Sequence, residues 1–315
     1  MSVSVSPKGD IQEKLKIALD ETRMLIMGVQ ILIGFQFEAI IQDGFASLPS
    51  SSQTCIGGAL LLMVGTAGLL IAPAAQHRLV EDGNASWRVI AATTRCMTAA
   101  LLAFAIGIAL AFYVAMERIA GSSWALISAL AAFTVASTVW FAFALMFHDP
   151  RTGKEQVVTE NTKTPLSEKI NYMLTEARVV LPGVQALLGF QLVAVLTRRF
   201  DELPEALKVA HAVGLGLMLL SVVLLLAPAA LHRLAFGGED VPVVHKLGSL
   251  LVTAALAALA LGLSAEVMVA LGALSGRLDV GALSAVIVLL VLVGLWYVWP
   301  LTIRAHLRPS ARPIA

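Results

Sequence analysis

The chain has 315 residues, of which 58% are hydrophobic and only 14% charged, with a net charge of +1. A soluble domain carries about 25% charged residues. These figures, with a mean hydropathy of +0.85, exclude a soluble globular protein and indicate a polytopic membrane protein, while the near-neutral balance offers no basic surface for nucleic acid.

Residues 6 to 20, SPKGDIQEKLKIALD, place Ile11, Leu15 and Leu19 on one helical face and charges on the other. The pattern predicts a short amphipathic helix along the membrane surface. No small-residue cleavage site precedes the first apolar run, so this segment reads as a mature cytosolic N-terminus and not a signal peptide. A span needs about 20 mostly apolar residues. That requirement predicts spans at 23–43, 55–77, 91–116 and 122–147, and again at 178–198, 207–231, 247–272 and 280–303. Cys55 and Cys96 open the second and third runs on opposite membrane faces, so they cannot pair and serve packing.

The polar stretch HDPRTGKEQVVTENTKTP separates the two sets. It divides the chain into a first four-helix repeat at 1–148, a cytosolic linker at 149–163 and a second repeat at 164–315. The second repeat opens on its own amphipathic helix, with Thr164 as N-cap and Pro165 in the first helical position. With the N-terminus inside, 17 of the 22 Lys and Arg residues fall on inward segments. The positive-inside rule then puts both termini in the cytosol.

Two blocks recur at a fixed offset of 155 residues. ETRMLIMGVQILIGFQ from Glu21 returns as EARVVLPGVQALLGFQ from Glu176, with nine of sixteen positions identical. LIAPAAQHRL from Leu70 returns as LLAPAALHRL from Leu225, with eight of ten identical. Four spans per copy is an even number, so both copies enter the membrane in the same direction. The expected fold is an all-α bundle of eight transmembrane helices. Its two parallel four-helix repeats would be related by a pseudo-two-fold axis along the membrane normal, with equivalent helices at the central interface.

The pattern E-x-R, G-V-Q, G-F-Q and A-P-A-A-x-H-R-L resembles a family of short bacterial membrane proteins of unknown function, whose members look like one copy of this unit. The second copy is the closer match, through Pro182; the first has Met27 there, and adds Glu38 where the second has Val193. The resemblance implies a multi-pass protein of the bacterial cytoplasmic membrane. It also brings the label sodium:proton antiporter, which is often attached to such proteins and for which the residues show no basis.

Gln30, Gln36, Gln185 and Gln191 of the repeated first span either bond across to neighbouring helices or line a polar path. Gly28, Gly34, Gly183 and Gly189 allow close helix approach and favour the first reading. Glu21, Arg23, His77 and Arg78 share one depth at the cytosolic edge. Glu176, Arg178, His232 and Arg233 repeat the set, and each set is expected to close within its own copy as a structural staple. A proton-sensing histidine pair, or recognition of anionic head groups by the arginines, is the functional alternative. Pro73 and Pro228 precede the histidines by four residues, where each is expected to kink its helix.

Acids inside spans are rare and read as functional candidates. Glu38 lies about 22 Å along the helix from Arg23, and Glu117 ends the third span. Glu266 sits within the seventh, and aligning VAMERIAG with LSAEVMVA makes Glu117 and Glu266 equivalents. These acids with the four glutamines form the candidate ion pathway. No HExxH, Cys/His cluster, GxSxG or P-loop is present, so no catalytic residue, metal or cofactor is expected. The leading expectation is a small-ion transporter or channel handling protons or monovalent cations. The competing one is a non-transporting scaffold or lipid-binding protein, with a homo-oligomer open to both.

Overall fold

The computed structural model describes residues 7–142, 164–232, 236 and 239–307. α1 (Pro7–Ile41) leads through a 3-10 turn at Asp43–Ser47 into α2 (Ser50–Leu79), followed by α3 (Trp87–Ala120) and α4 (Ser122–Ser137). The second copy supplies α5 (Leu166–Ala194), α6 (Glu205–Ala230), α7 (Pro242–Ser275) and α8 (Leu278–Val293). α8 runs through a π-helical turn at Gly294–Val298 into α9 (Trp299–Leu307). Seven helices among the described residues are long and apolar enough to cross a membrane. α4 is apolar but has only 16 helical residues before its π-helical turn at Thr138–Ala142. The remainder of the expected fourth span, to residue 147, lies outside the described residues.

Local signals explain where the helices start and stop. Ser86 caps α3 by accepting the Val89 N–H at 3.3 Å, using a hydroxyl for a donor that has no helical partner. Pro242 opens α7, where its missing N–H costs nothing. α3 ends on Gly121 with φ +83° and α7 on Gly276 with φ +65°, backbone that glycine adopts without strain. A new helix starts within two residues of each glycine.

Neither amphipathic segment forms a separate surface helix. α1 is one helix of 35 residues, about 52 Å long against a hydrocarbon core of about 30 Å. Its first turns bury Leu15 and Leu19 against Val89 and Tyr172, so protein and not lipid covers their apolar face. α5 likewise runs unbroken from Leu166, with Pro165 at its cap position. Thr164 instead ties the loop between α2 and α3: its hydroxyl accepts the Ala85 N–H at 3.0 Å and its own N–H donates to Asn84 Oδ1 at 3.2 Å.

The repeat survives in the helix starts. α2 and α6 begin 155 residues apart (205 − 50), as do α3 and α7 (242 − 87). α1 and α5 lie side by side and run the same way. Along the shared seam the Tyr172 hydroxyl donates to the Gln12 carbonyl at 3.2 Å, Gln30 sits against Gly183, and Phe35 meets Phe190, its own counterpart, at 4.8 Å. Gly34 and Gly183 make the notches that Phe190 and Gln30 fill, whereas Gly28 and Gly189 face open space.

The two copies are used differently. α2 and α7 carry the largest buried share, and the main core cluster draws on both copies, from Ile26, Val29 and Met63 to Leu187, Leu259 and Trp296. α8 and its π-turn pack across onto α2, where Trp296 Nε1 donates to the Gly68 carbonyl at 2.9 Å. α4, the counterpart of α8, packs mainly on α3. The bend from α7 into α8 is the tightest backbone approach: a Cβ on Gly281 would lie 2.6 Å from the Met268 carbonyl and 3.0 Å from the Gly272 Cα. Gly281→Val is therefore expected to destabilise the fold by about 3 kcal/mol, the upper end for overpacking, as read by thermal unfolding in detergent.

Candidate functional site

α6 starts at Glu205, so His211 sits about 9 Å below that end, and Glu266 sits about 13 Å below the end of α7. The two helices are antiparallel neighbours, and their side chains meet. His211 Nδ1 is 3.1 Å from Glu266 Oε2, and His211 Nε2 donates to the Gln191 carbonyl of α5 at 3.1 Å. His211 is 2% exposed and Glu266 1%. Gly214 provides the space: a Cβ there would stand 2.6 Å from Glu266 Oε1. Phe200 closes the other side, its ring 5.1 Å edge-on from the imidazole.

The hydrogen bonds determine what this pair can do. A carbonyl only accepts, so Nε2 carries a proton, and the contact between Nδ1 and Oε2 holds one more. That proton sits either on the carboxyl, with a neutral imidazole, or on the ring, with a carboxylate. Both arrangements carry no net charge, which is what an apolar surrounding tolerates. Glu266 Oε1 has no hydrogen-bond partner and remains free to accept. The site is a one-proton store that can be filled or emptied only by adding or removing charge.

The other acids stand apart from it. Glu117 is in the last turn of α3, where it accepts from the Ser52 hydroxyl and, at 3.3 Å, from Tyr113. α3 and α7 keep the 155 offset at both ends, so the counterpart of Glu117 is Gly272 and that of Glu266 is Ala111. The two acids are not equivalents: the constant offset from the start of α2 to the end of α3 leaves no gap that could bring them into register, and the local likeness of the two octets misaligned them. Glu38 accepts from Gln42 one turn on, at the end of α1.

Gln30 and Gln36 are buried with all four of their amide atoms unpartnered, Gln191 keeps an unpartnered Oε1, and Gln185 is exposed. The glutamines therefore do not bond across the bundle as glue. Only Gln191 reaches the acid pair, and it does so through its backbone.

At the opposite end the polar set closes between the copies and not within each. Glu176 of α5 takes Arg78 Nε at 2.9 Å and His77 Nδ1 at 2.8 Å, both from α2. All three are buried, and Tyr172 stands edge-on to His77 at 5.6 Å. Glu21, Arg23 and Arg178 are exposed, and His232 reaches Asp240 at 3.5 Å. Arg233 lies outside the described residues. Pro73 sits inside α2 without ending it, and Pro228 lies three residues before the π-helical turn at Leu231–His232.

No motif singles out His211 in the sequence, where it falls near the start of the span expected at 207–231. The signal lay in Pro204, which starts the helix early enough to carry His211 into its second turn. No group of three potential metal ligands occurs among the described residues.

The model of a family of unknown function, DUF6328, matches residues 7–144 and again residues 159–300. The chain belongs to the DUF6328 family. Two successive matches make this DUF6328 protein a tandem pair of family units, in keeping with the offset of its helices. No curated protein and no solved structure matches it.

Proposed function

We propose that this DUF6328 protein moves protons, alone or in exchange for a monovalent cation, across a membrane by way of the Glu266–His211 pair. The observation that carries the reading is a carboxyl and an imidazole sealed inside apolar helices and sharing one proton. Ionisable groups in such a place are costly and mark ion paths and proton relays. The spare carboxyl oxygen supplies a second acceptor for an arriving proton.

The wider architecture is part of the proposal. The parallel course of α1 and α5 supports two copies entering the membrane in the same sense about a pseudo-two-fold axis. α4 with the residues after it would then make the eighth span. The surplus of Lys and Arg at the His77 end supports a cytosolic location for that end and for both termini, in a bacterial cytoplasmic membrane.

Purified protein in liposomes holding a pH-sensitive dye tests the reading. A proton flux under a pH or sodium gradient is expected, with Glu266→Gln abolishing it while the protein keeps its elution profile and helicity. Absence of flux under every gradient, or full flux in Glu266→Gln, would remove it.

A further inference from the structure

One helical turn from the buried pair, at Leu207, lies a cavity of about 270 Å³. It opens among the ends of α6, α7 and α8. Its exposed wall includes Glu202 and Arg277, and Arg199 is partly exposed. Arg277 is matched by Asp279 through bonds of 3.1 and 2.5 Å, and the Arg199 guanidinium lies over the Phe45 ring at 5.2 Å. The inner wall is different: Leu203 and Leu207 are buried, and Gly272 leaves room for the Leu207 side chain, since a Cβ there would lie 3.0 Å from it.

Leu203, Leu207 and Val269 form a small apolar cluster of their own, flanked by Phe200. Leu207 is one helical turn before His211, and Val269 is three residues beyond Glu266, so both lie one turn from the pair on its cavity side. Phe200 belongs to this layer and touches the imidazole. In the other direction Met218, Val222, Leu225, Leu256, Leu259 and Leu263 are buried in the main core. The only α6 hydroxyl on that course, Ser221, is already bonded to the Ala255 carbonyl at 3.0 Å. One apolar layer separates the pair from water on one side, and several turns of core separate it on the other.

We infer that water reaches the Glu266–His211 pair from one end only, through the vestibule between α6, α7 and α8, with Leu207 as the gate. This rests on the proton-handling reading for its purpose but not for its test. The layer is thin enough to open by rotation of one leucine, and the opposite seal is not. The described conformation is thus a one-sided state, as alternating access requires.

The test reads Glu266 directly. Sealed vesicles of either orientation are treated with a water-soluble carbodiimide and an amine, and modification of Glu266 is followed by peptide mass spectrometry. Leu207→Ala is expected to speed modification several-fold when the reagent meets the vestibule end and to leave it unchanged from the His77 end. Met218→Ala, a truncation of similar size in the opposite seal, is expected to change neither. Leu207→Val provides a milder opening should the alanine variant fail to fold, with an intermediate rate expected. Equal acceleration from both sides, an equal effect of Met218→Ala, or no effect of a folded Leu207 variant would overturn the inference. One-sided acceleration without any proton flux in liposomes would leave the gate standing and remove the transport reading alone.

Discussion

His211→Ala is expected to destabilise the protein by about 3–5 kcal/mol, because it strips a buried acid of its partner and leaves the carboxyl facing apolar side chains. Glu266→Leu alone orphans the imidazole and is expected to cost less, since a neutral histidine still bonds the Gln191 carbonyl through Nε2. The double replacement His211→Leu/Glu266→Leu removes both polar groups. It is expected to recover most of the loss, as replacement of buried pairs by apolar residues does. Unfolding by a denaturing detergent, followed by helicity, gives the three values and their coupling. Additive losses would show that the two side chains do not act as a pair. A stable double variant that no longer moves protons would show that the polar groups are kept for use and not for stability.

Glu176→Ala carries the second large effect. It leaves Arg78 and His77 buried without their shared anion, at an expected cost of about 3–5 kcal/mol. The pair is formed between the copies, so the loss has a specific signature. Residues 1–155 and 156–315 co-expressed as separate chains are expected to co-purify through the α1/α5 seam, and Glu176→Ala is expected to weaken that recovery. Glu21→Ala, at the equivalent but exposed position, is expected to leave it unchanged. Equal effects of the two substitutions would mean that the two copies use these acids alike.

Much of the architecture was legible in the residues because duplication writes itself twice. The offset of 155, the Pro and Gly residues at helix ends and the apolar run lengths located α2, α3, α6 and α7 to within about five residues, but missed that α1 and α5 run on unbroken from the amphipathic segments. What could not be read was partnership. Glu176 is flanked by the same motif as Glu21, and nothing in either motif says that one acid is buried against the other copy while the other faces outward. That asymmetry comes from packing: α2 and α7 take the centre, and their counterparts α6 and α3 do not. Glu117 and Glu266 show the complementary error, in which two similar octets suggested an equivalence that the unbroken helix lengths deny. Gln30 and Gln36 were read as adhesive because buried amides normally find partners. Here Gly183 and close helix contact hold Gln30 by shape alone.

The arm that α8 lays across α2 has a bearing on biogenesis. Trp296 reaches Gly68 only after the second unit has been synthesised through its last long helix, so the first four-helix unit completes its packing last and not first. Until then its α2 surface rests on lipid or on the insertion machinery. An ancestor encoding a single unit would have lacked this cover in cis and could have obtained it only from a second molecule, which makes gene fusion a way of supplying an obligatory subunit at fixed stoichiometry.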